Sequence, residues 1–407
     1  MTKRTYLCPY CLKEHELEKV LFRCKNRRCK IYQDKELAMY SGKSVELKQL
    51  CFLPQKAGKK GMPMQAICPE CGEITTTRIC PSCHNNLPTT IDCHQEKVIA
   101  IIGARDSGKS SYMAVLIKEL KKRVLSGFHG AMNFMDQESY EEYEERFGTY
   151  LYPVKPGAIP RILPQTKTSF VGNTSIGVNR PILCDIKLEK KSWLHDKMHP
   201  YTFVFYDAAG EDFDDEGVMF TISKYISEAA GILFLLDPLQ IERIRMQLDA
   251  STVKKACTIE PRSVSPVEEI IDRVAKLIRA KRGILECEKI EIPVAVAFSK
   301  FDAIKNIVPS NSILLSRSPH VERGKFVKYD AALVNEEMIG LLHEWGEREF
   351  LNHLHLNYTT YAFFSCSAFG HSPDEEGRIG TLCPHRIEDP LLWIMMKNKM
   401  IESVGEE

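Results

Sequence analysis

The chain has 407 residues with a formal net charge of +1, 44% hydrophobic and 27% charged residues. That length leaves room for two or three domains, and the near-neutral balance excludes a whole-molecule field that would drive binding to nucleic acid or membrane. No stretch reaches the ~18 uncharged apolar residues of a membrane span and the N-terminus lacks an apolar signal core, so a cytoplasmic protein without membrane contact is expected.

Of the fifteen cysteines, nine fall within the first 83 residues, and eight of these form Cys8-x2-Cys11, Cys24-x4-Cys29, Cys68-x2-Cys71 and Cys80-x2-Cys83. Knuckles at this spacing read as zinc ligands in a reducing compartment rather than as a disulfide framework. Taken in chain order, the first two supply one four-thiolate set and the last two another. This predicts one zinc ribbon over 1–50 and, after a linker, a second within 51–95. A zinc held by four cysteines keeps no open position, so the ribbons read as scaffolds or docking modules, not as catalytic centres.

Arg23, Lys25, Arg27, Arg28 and Lys30 cluster around the first ribbon, yet residues 1–96 hold only 16 Lys and Arg against 10 Asp and Glu. Two four-thiolate zinc sites would carry about four negative charges and reduce that excess to about two. A protein partner is therefore expected, with nucleic acid the lesser alternative. Cys93 and His94 lie just past the second ribbon and are not counted as ligands. Cys51, Cys184, Cys257, Cys287, Cys366 and Cys383 are read as free buried thiols.

The third region, 96–407, opens with an apolar run, Val98 to Ile102, predicted as a buried strand leading into Gly103-Ala104-Arg105-Asp106-Ser107-Gly108-Lys109-Ser110. This stretch fits G-x-x-x-x-G-K-[ST]. Gly103 and Gly108 permit a tight turn that aims backbone N–H groups and a helix N-terminus at phosphates. Lys109 is expected to reach the β- and γ-phosphates and the Ser110 hydroxyl to ligate Mg²⁺, with Arg105, Asp106, Ser107 and Ser111 completing the cradle. Met113, Leu116, Ile117, Leu120 and Val124 give the following helix its apolar face, and Gly127 ends it.

Residues 137–147 predict a short acidic helix with a solvated face. A strand is expected over 182–188 and another over 201–206, the latter ending on Asp207-Ala208-Ala209-Gly210. Asp207 at that strand end would hold Mg²⁺, and the Gly210 N–H would sense the γ-phosphate. A helix over 218–230, a buried strand over 231–236 closed by Asp237-Pro238, and a helix begun by Ser265 and Pro266 follow. The remaining expectations are a strand over 292–298, a helix over 335–351, a strand over 360–364 and a last helix started by Asp389-Pro390. Strands alternating with helices predict an α/β fold with a mostly parallel sheet, whose strand ends gather the motifs in one place.

Taken together, Gly103 to Ser110, Asp207 to Gly210, Ser299-Lys300-Phe301-Asp302 and Ser367-Ala368 resemble the G-motifs of Ras-like and translation-factor-related P-loop GTPases. The double ribbon and Leu235-Leu236-Asp237-Pro238 are similar to the bacterial double-GTPase family associated with conflict systems. The resemblance covers about residues 96–402. It implies GTP or GDP with Mg²⁺ as ligands and Asp302 as acceptor from the guanine N–H and amino groups. It further implies Lys300 packed over the base and Ser367 and Ala368 near the guanine O6. Ser299 stands where asparagine is usual and keeps a hydroxyl able to tie its loop to the P-loop.

Glu211 occupies the position of the water-orienting glutamine. With Lys109, Gly210 and Glu211 as the catalytic set, a slow hydrolase is expected, accelerated by a partner or by self-association. A nucleotide-gated adaptor with negligible hydrolysis is the alternative. The switch threonine that would join Mg²⁺ is assigned to Thr168, with Thr166 and Thr174 as rivals. His195-x3-His199 lacks the glutamate of a zinc protease motif and is not read as a metal site.

Overall fold

The computed structural model describes residues 5–55, 63–92, 95–104, 106–155, 157–164, 181–190, 197–207, 223–249, 252–253 and 267–405. Its centre is a seven-stranded sheet. In chain order the strands are β1 Gln95–Ile102, β2 Gly130–Phe134, β3 Ile182–Lys190, β4 Lys197–Asp207, β5 Ala229–Leu236, β6 Val294–Phe298 and β7 Tyr361–Ser365. In space they lie β2-β3-β4-β1-β5-β6-β7. The five from β4 to β7 run parallel, and β2 and β3 are joined antiparallel to that edge.

The chain leaves β1 toward one side of the sheet and returns after β4 to build the other. The loop after β1 therefore sits at the switch point where α/β sheets open a crevice. Strand β2 has no counterpart in the sequence reading. It is five residues long with a mixed burial pattern, and neither alternation nor an unbroken apolar run marks it.

Helix α1, Lys109–Glu119, continues through a wide turn to Gly127. The expected single apolar face is an underestimate, because Tyr112 to Ile117 are all buried. Tyr143 Oη donates to Ala114 O at 2.9 Å and Tyr112 Oη to Ile387 O at 2.9 Å, so α1 is covered from two further directions. Helix α2, Gln137–Tyr143, is capped by Asp136, whose side chain accepts from Ser139 N. Helix α3, Val267–Arg282, is amphipathic as expected. Ser265 and Pro266 lie outside the described residues.

The helix expected over 335–351 is two helices, α4 Lys328–Trp345 and α5 Arg348–Asn357. Gly346 stands between them at φ 90°, a left-handed conformation that caps α4 and that a continuous apolar pattern hides. Helix α6 is Asp389–Lys397.

The N-terminal region departs from the sequence reading in its pairing. Cys8, Cys11, Cys80 and Cys83 form one cluster, and Cys24, Cys29, Cys68 and Cys71 form the other. The outer knuckles pair with each other and enclose the inner pair, so the expected chain-order grouping is corrected to a nested one. The backbone explains why. Leu21–Arg23 is the central strand of a three-stranded sheet, hydrogen-bonded to Cys51–Phe52 on one side and Arg78–Ile79 on the other. That sheet brings the ends of the region together and leaves two sequential ribbons no way to separate.

Of the cysteines read as free buried thiols, Cys184 and Cys366 are buried, Cys51 is half-buried, and Cys287 and Cys383 are exposed. Cys257, Cys93 and His94 lie outside the described residues. Among the described residues no helix is long and apolar enough to cross a membrane.

Nesting has a direct consequence for zinc content. Replacing Cys8 and Cys83 together by serine should remove one zinc per chain, whereas Cys8 and Cys24 together should remove two. Elemental analysis of the purified variants checks this, and the reverse outcome would restore the sequential grouping.

Candidate functional site: a phosphate cradle joined to a base-reading loop

Gly103 follows β1 directly, and a side chain there would meet Leu235 O at 2.3 Å, so only glycine lets the loop pass so close to β5. Gly108 has φ 77° and forms the N-cap of α1, a conformation that other residues rarely adopt. No side chain caps this helix start and no acidic residue stands in its first turn, so the positive end of its dipole favours an anion. Lys109 is buried, its ammonium donating to Gly103 O and Ala104 O at 2.8 Å each. A helix end without its own cap beside a buried ammonium is chemically suited to a polyphosphate.

The second loop approaches from β6. Ser299 Oγ donates to Ser107 O at 2.8 Å and lies 3.0 Å from Leu236 O, while Ser299 N bonds the same Leu236 carbonyl at 2.9 Å. This one residue thus joins the loops after β1, β5 and β6. Next to it, Lys300 adopts φ 52° and sends Nζ to Asp237 Oδ2 at 2.8 Å and to Asp106 Oδ2 at 3.4 Å. Burial pushes the Asp237 carboxyl up from its usual range, and the Lys300 ammonium opposes that shift.

Asp302 is half-buried, its Oδ1 accepting from Ser367 Oγ at 2.5 Å and its Oδ2 from Ser372 Oγ at 3.3 Å. Ser367 is held in turn, its Oγ accepting from Gly370 N and its N–H donating to His385 O. Ala368 follows, half-buried. Each carboxylate oxygen offers two lone pairs, so one that already accepts from a hydroxyl can still accept an N–H donor from a planar base edge.

The other expected residues divide plainly. Ser110 and Ser111 open α1 beside Lys109. Asp207 ends β4, its backbone in register with Ile101 of β1, two residues before Gly103, and its side chain is not described. Arg105, Thr166, Thr168, Thr174, Gly210, Glu211 and His195 lie outside the described residues, and His199 stands in β4. Two contacts escaped the functional reading of the sequence. Asp237 carried a signal, since it is an acid closing an apolar strand where ligands collect. Ser372 carried none.

In each cysteine cluster the facing sulfurs stand at a common spacing: Cys8 to Cys83 at 3.8 Å, Cys11 to Cys80 at 3.7 Å, Cys24 to Cys71 at 3.6 Å and Cys29 to Cys68 at 3.9 Å. Bonds of ~2.3 Å to a tetrahedral zinc imply a sulfur–sulfur edge of ~3.8 Å, so both sets fit the ion. Asn26 N and Ser82 N each donate to a cluster sulfur at 3.4 Å, and His15 Nε2 stands 3.4 Å from Cys80 Sγ. The outer cluster also meets the large sheet's domain. Tyr10, inside the first knuckle, donates through Oη to the α2 cap Asp136 at 2.8 Å, and its carbonyl accepts from Tyr225 Oη at 2.9 Å.

No family model matches the chain. It is 25% identical over 385 residues to a Mycolicibacterium smegmatis protein described provisionally as the ESX-1 scaffolding and assembly protein SaeC, covering 89% of this chain and 91% of that one. Among solved structures it is similar to the S. cerevisiae Ski7 GTPase-like domain bound to GTP, at 13% identity and a TM-score of 0.31, covering 76% of this chain and 52% of that one. The chain thus spans about half of that structure's length, a likeness too distant to bear on function.

The Ser299 junction makes a measurable claim. Ser299→Ala leaves the Ser107 carbonyl without its donor and should lower the unfolding free energy by about 1 kcal/mol. Urea denaturation of the two proteins reads this, and an unchanged midpoint would mean that the hydroxyl does not hold the loops together.

Proposed function

We propose that the protein is a guanine-nucleotide-binding switch that hydrolyses GTP slowly with Mg²⁺, its zinc-binding N-terminal region serving to dock a protein partner. The observation that carries this reading is the junction of the two loops, Ser299 to Ser107 at 2.8 Å and Lys300 to Asp106 at 3.4 Å. It sets the Asp302 carboxylate and the phosphate cradle on the same edge of the sheet. One ligand with a base at one end and phosphates at the other spans such a pair.

In this proposal the α1 amides and the Lys109 ammonium neutralise the phosphates, and Asp302 accepts the two guanine N–H donors with Lys300, Ser367 and Ala368 alongside. Adenine, which lacks those donors, would forgo both bonds to the carboxylate. Ser110 and Asp207, with Thr168, would hold Mg²⁺, whose charge offsets that developing on the leaving phosphate oxygens. Gly210 and Glu211 retain the roles of γ-phosphate sensor and water-orienting residue.

A second reading, an adaptor that binds nucleotide without appreciable turnover, draws support from the scaffolding and assembly description of the M. smegmatis relative. Single-turnover measurement separates the two. GTP stable for hours with and without cell-extract partners favours the adaptor, and release of phosphate favours the switch.

Asp302 supplies the direct test of base recognition. Asp302→Asn exchanges an acceptor for a donor, so GTP affinity should fall by two orders of magnitude or more, on the scale of ~10⁴ for a site built to a hydrogen-bond pattern. Xanthine nucleotides, which carry a carbonyl in place of the amino group, should bind this variant better than the wild type. Titration with labelled nucleotides measures both, and unchanged guanine affinity would end the proposal.

A further inference from the structure

Leu235-Leu236-Asp237-Pro238 marks a resemblance in the sequence, and in the fold three of its residues touch both halves of the site. Leu235 O is the atom that forbids a side chain on Gly103. Leu236 O accepts from the N–H of Ser299 and lies 3.0 Å from its hydroxyl. Asp237 receives the Lys300 ammonium.

The Asp237 carboxylate is held on both sides. Its Oδ1 accepts from Leu239 N at 2.9 Å in the turn after β5, which fixes its orientation, and its Oδ2 faces Lys300 Nζ at 2.8 Å. Its side chain is only 1% exposed, so the pair stands in a setting where an unmatched charge is costly. Lys300 occupies a left-handed backbone conformation at φ 52°, strained for a side chain of its kind, and such strain persists only where surrounding contacts enforce it. The buried pair is such a contact. The same ammonium reaches Asp106 of the P-loop, itself at φ 62°.

From this geometry we infer that Asp237 is a positioning residue for nucleotide selection. Its pairing with Lys300 sets the separation between Asp302, two residues further on, and the phosphate cradle, to which Lys300 is also tied through Asp106. The inference rests on the guanine-nucleotide reading above. A ligand bridging the two loops gains its full affinity only at the right separation. Loss of the pair therefore weakens the contribution of the base more than that of the phosphates, which every nucleotide shares.

Asp237→Asn keeps the size of the side chain and an acceptor for Leu239 N while removing the charge. Labelled GDP and ADP are titrated against the full-length wild type, Asp237→Asn, Lys300→Ala and the double variant. Guanine affinity in Asp237→Asn should fall ~10-fold or more, the scale of coupling between residues in direct contact. Adenine affinity should fall less, so that the guanine preference shrinks. The double variant should bind guanine no more weakly than Lys300→Ala alone, and Asp237→Glu should recover part of the preference.

Should Asp237→Asn fail to fold, Asp106→Asn examines the same tie from the P-loop side and should reduce the guanine preference only while Lys300 is present. Additive losses, or an unchanged ratio of guanine to adenine affinity, overturn the positioning role. A wild type without guanine preference overturns both this inference and the reading beneath it, whereas a selective wild type with additive variants overturns the positioning role alone.

Discussion

The site is organised around one junction of loops, with the Ser299 hydroxyl at its centre. Parallel strands β1, β5 and β6 end side by side, and three loops leave the sheet edge together, each with backbone groups that its own strand no longer satisfies. Ser299 Oγ donates to Ser107 O and lies within reach of Leu236 O, so the loop after β6 is drawn against the other two. Residues 192 and 63 positions apart in sequence are joined through one atom. Gly103 is required for the same reason, because the P-loop must pass Leu235 O at a distance that excludes any side chain. The loop after β1 and the loop after β6 are thus two parts of one packed junction.

A comparable constraint governs the N-terminal region. A nested pair of four-thiolate sites ties residues 8–11 to residues 80–83, just before β1 begins, so the outer site lies against the domain that follows. Tyr10 transmits that contact, its hydroxyl on the cap of α2 and its carbonyl under Tyr225. Tyr10 is only 1% exposed and lies between two cluster cysteines, so the first knuckle packs as part of the larger core. A module anchored in this way cannot swing freely as a tethered ribbon would.

The sequence made much of this legible, for identifiable reasons. Buried parallel strands such as Val98 to Ile102 and Val294 to Phe298 are unbroken apolar runs, and the P-loop glycines are required by backbone geometry that local sequence states directly. The pairing of the knuckles was not legible, since spacing identifies zinc ligands but carries no information about which knuckles meet. That choice is made by the Leu21–Arg23 strand, whose partners lie about 30 and 57 residues away. The break at Gly346 was hidden because apolar residues continue in helical phase on both sides of it. Strand β2 was hidden because an edge strand buried on part of one face has little pattern to show.

The short side chain of Ser299 fits the same packing. A serine Oγ is only two bonds from Cα, so a loop held by it must lie close to the groups it binds. Ser299 meets that demand, being 6% exposed with its own N–H already on Leu236 O, so that backbone and side chain act on the same neighbouring strand. Each such bond contributes only about 1 kcal/mol, and none alone would fix a loop. Because the Ser299 hydroxyl, the Lys300–Asp237 pair and the Ser367–Asp302 contact fall within a few residues, the loop cannot move without breaking all of them together. Rigidity shared among neighbours in this way lets bonds that are individually weak hold the loop in one place.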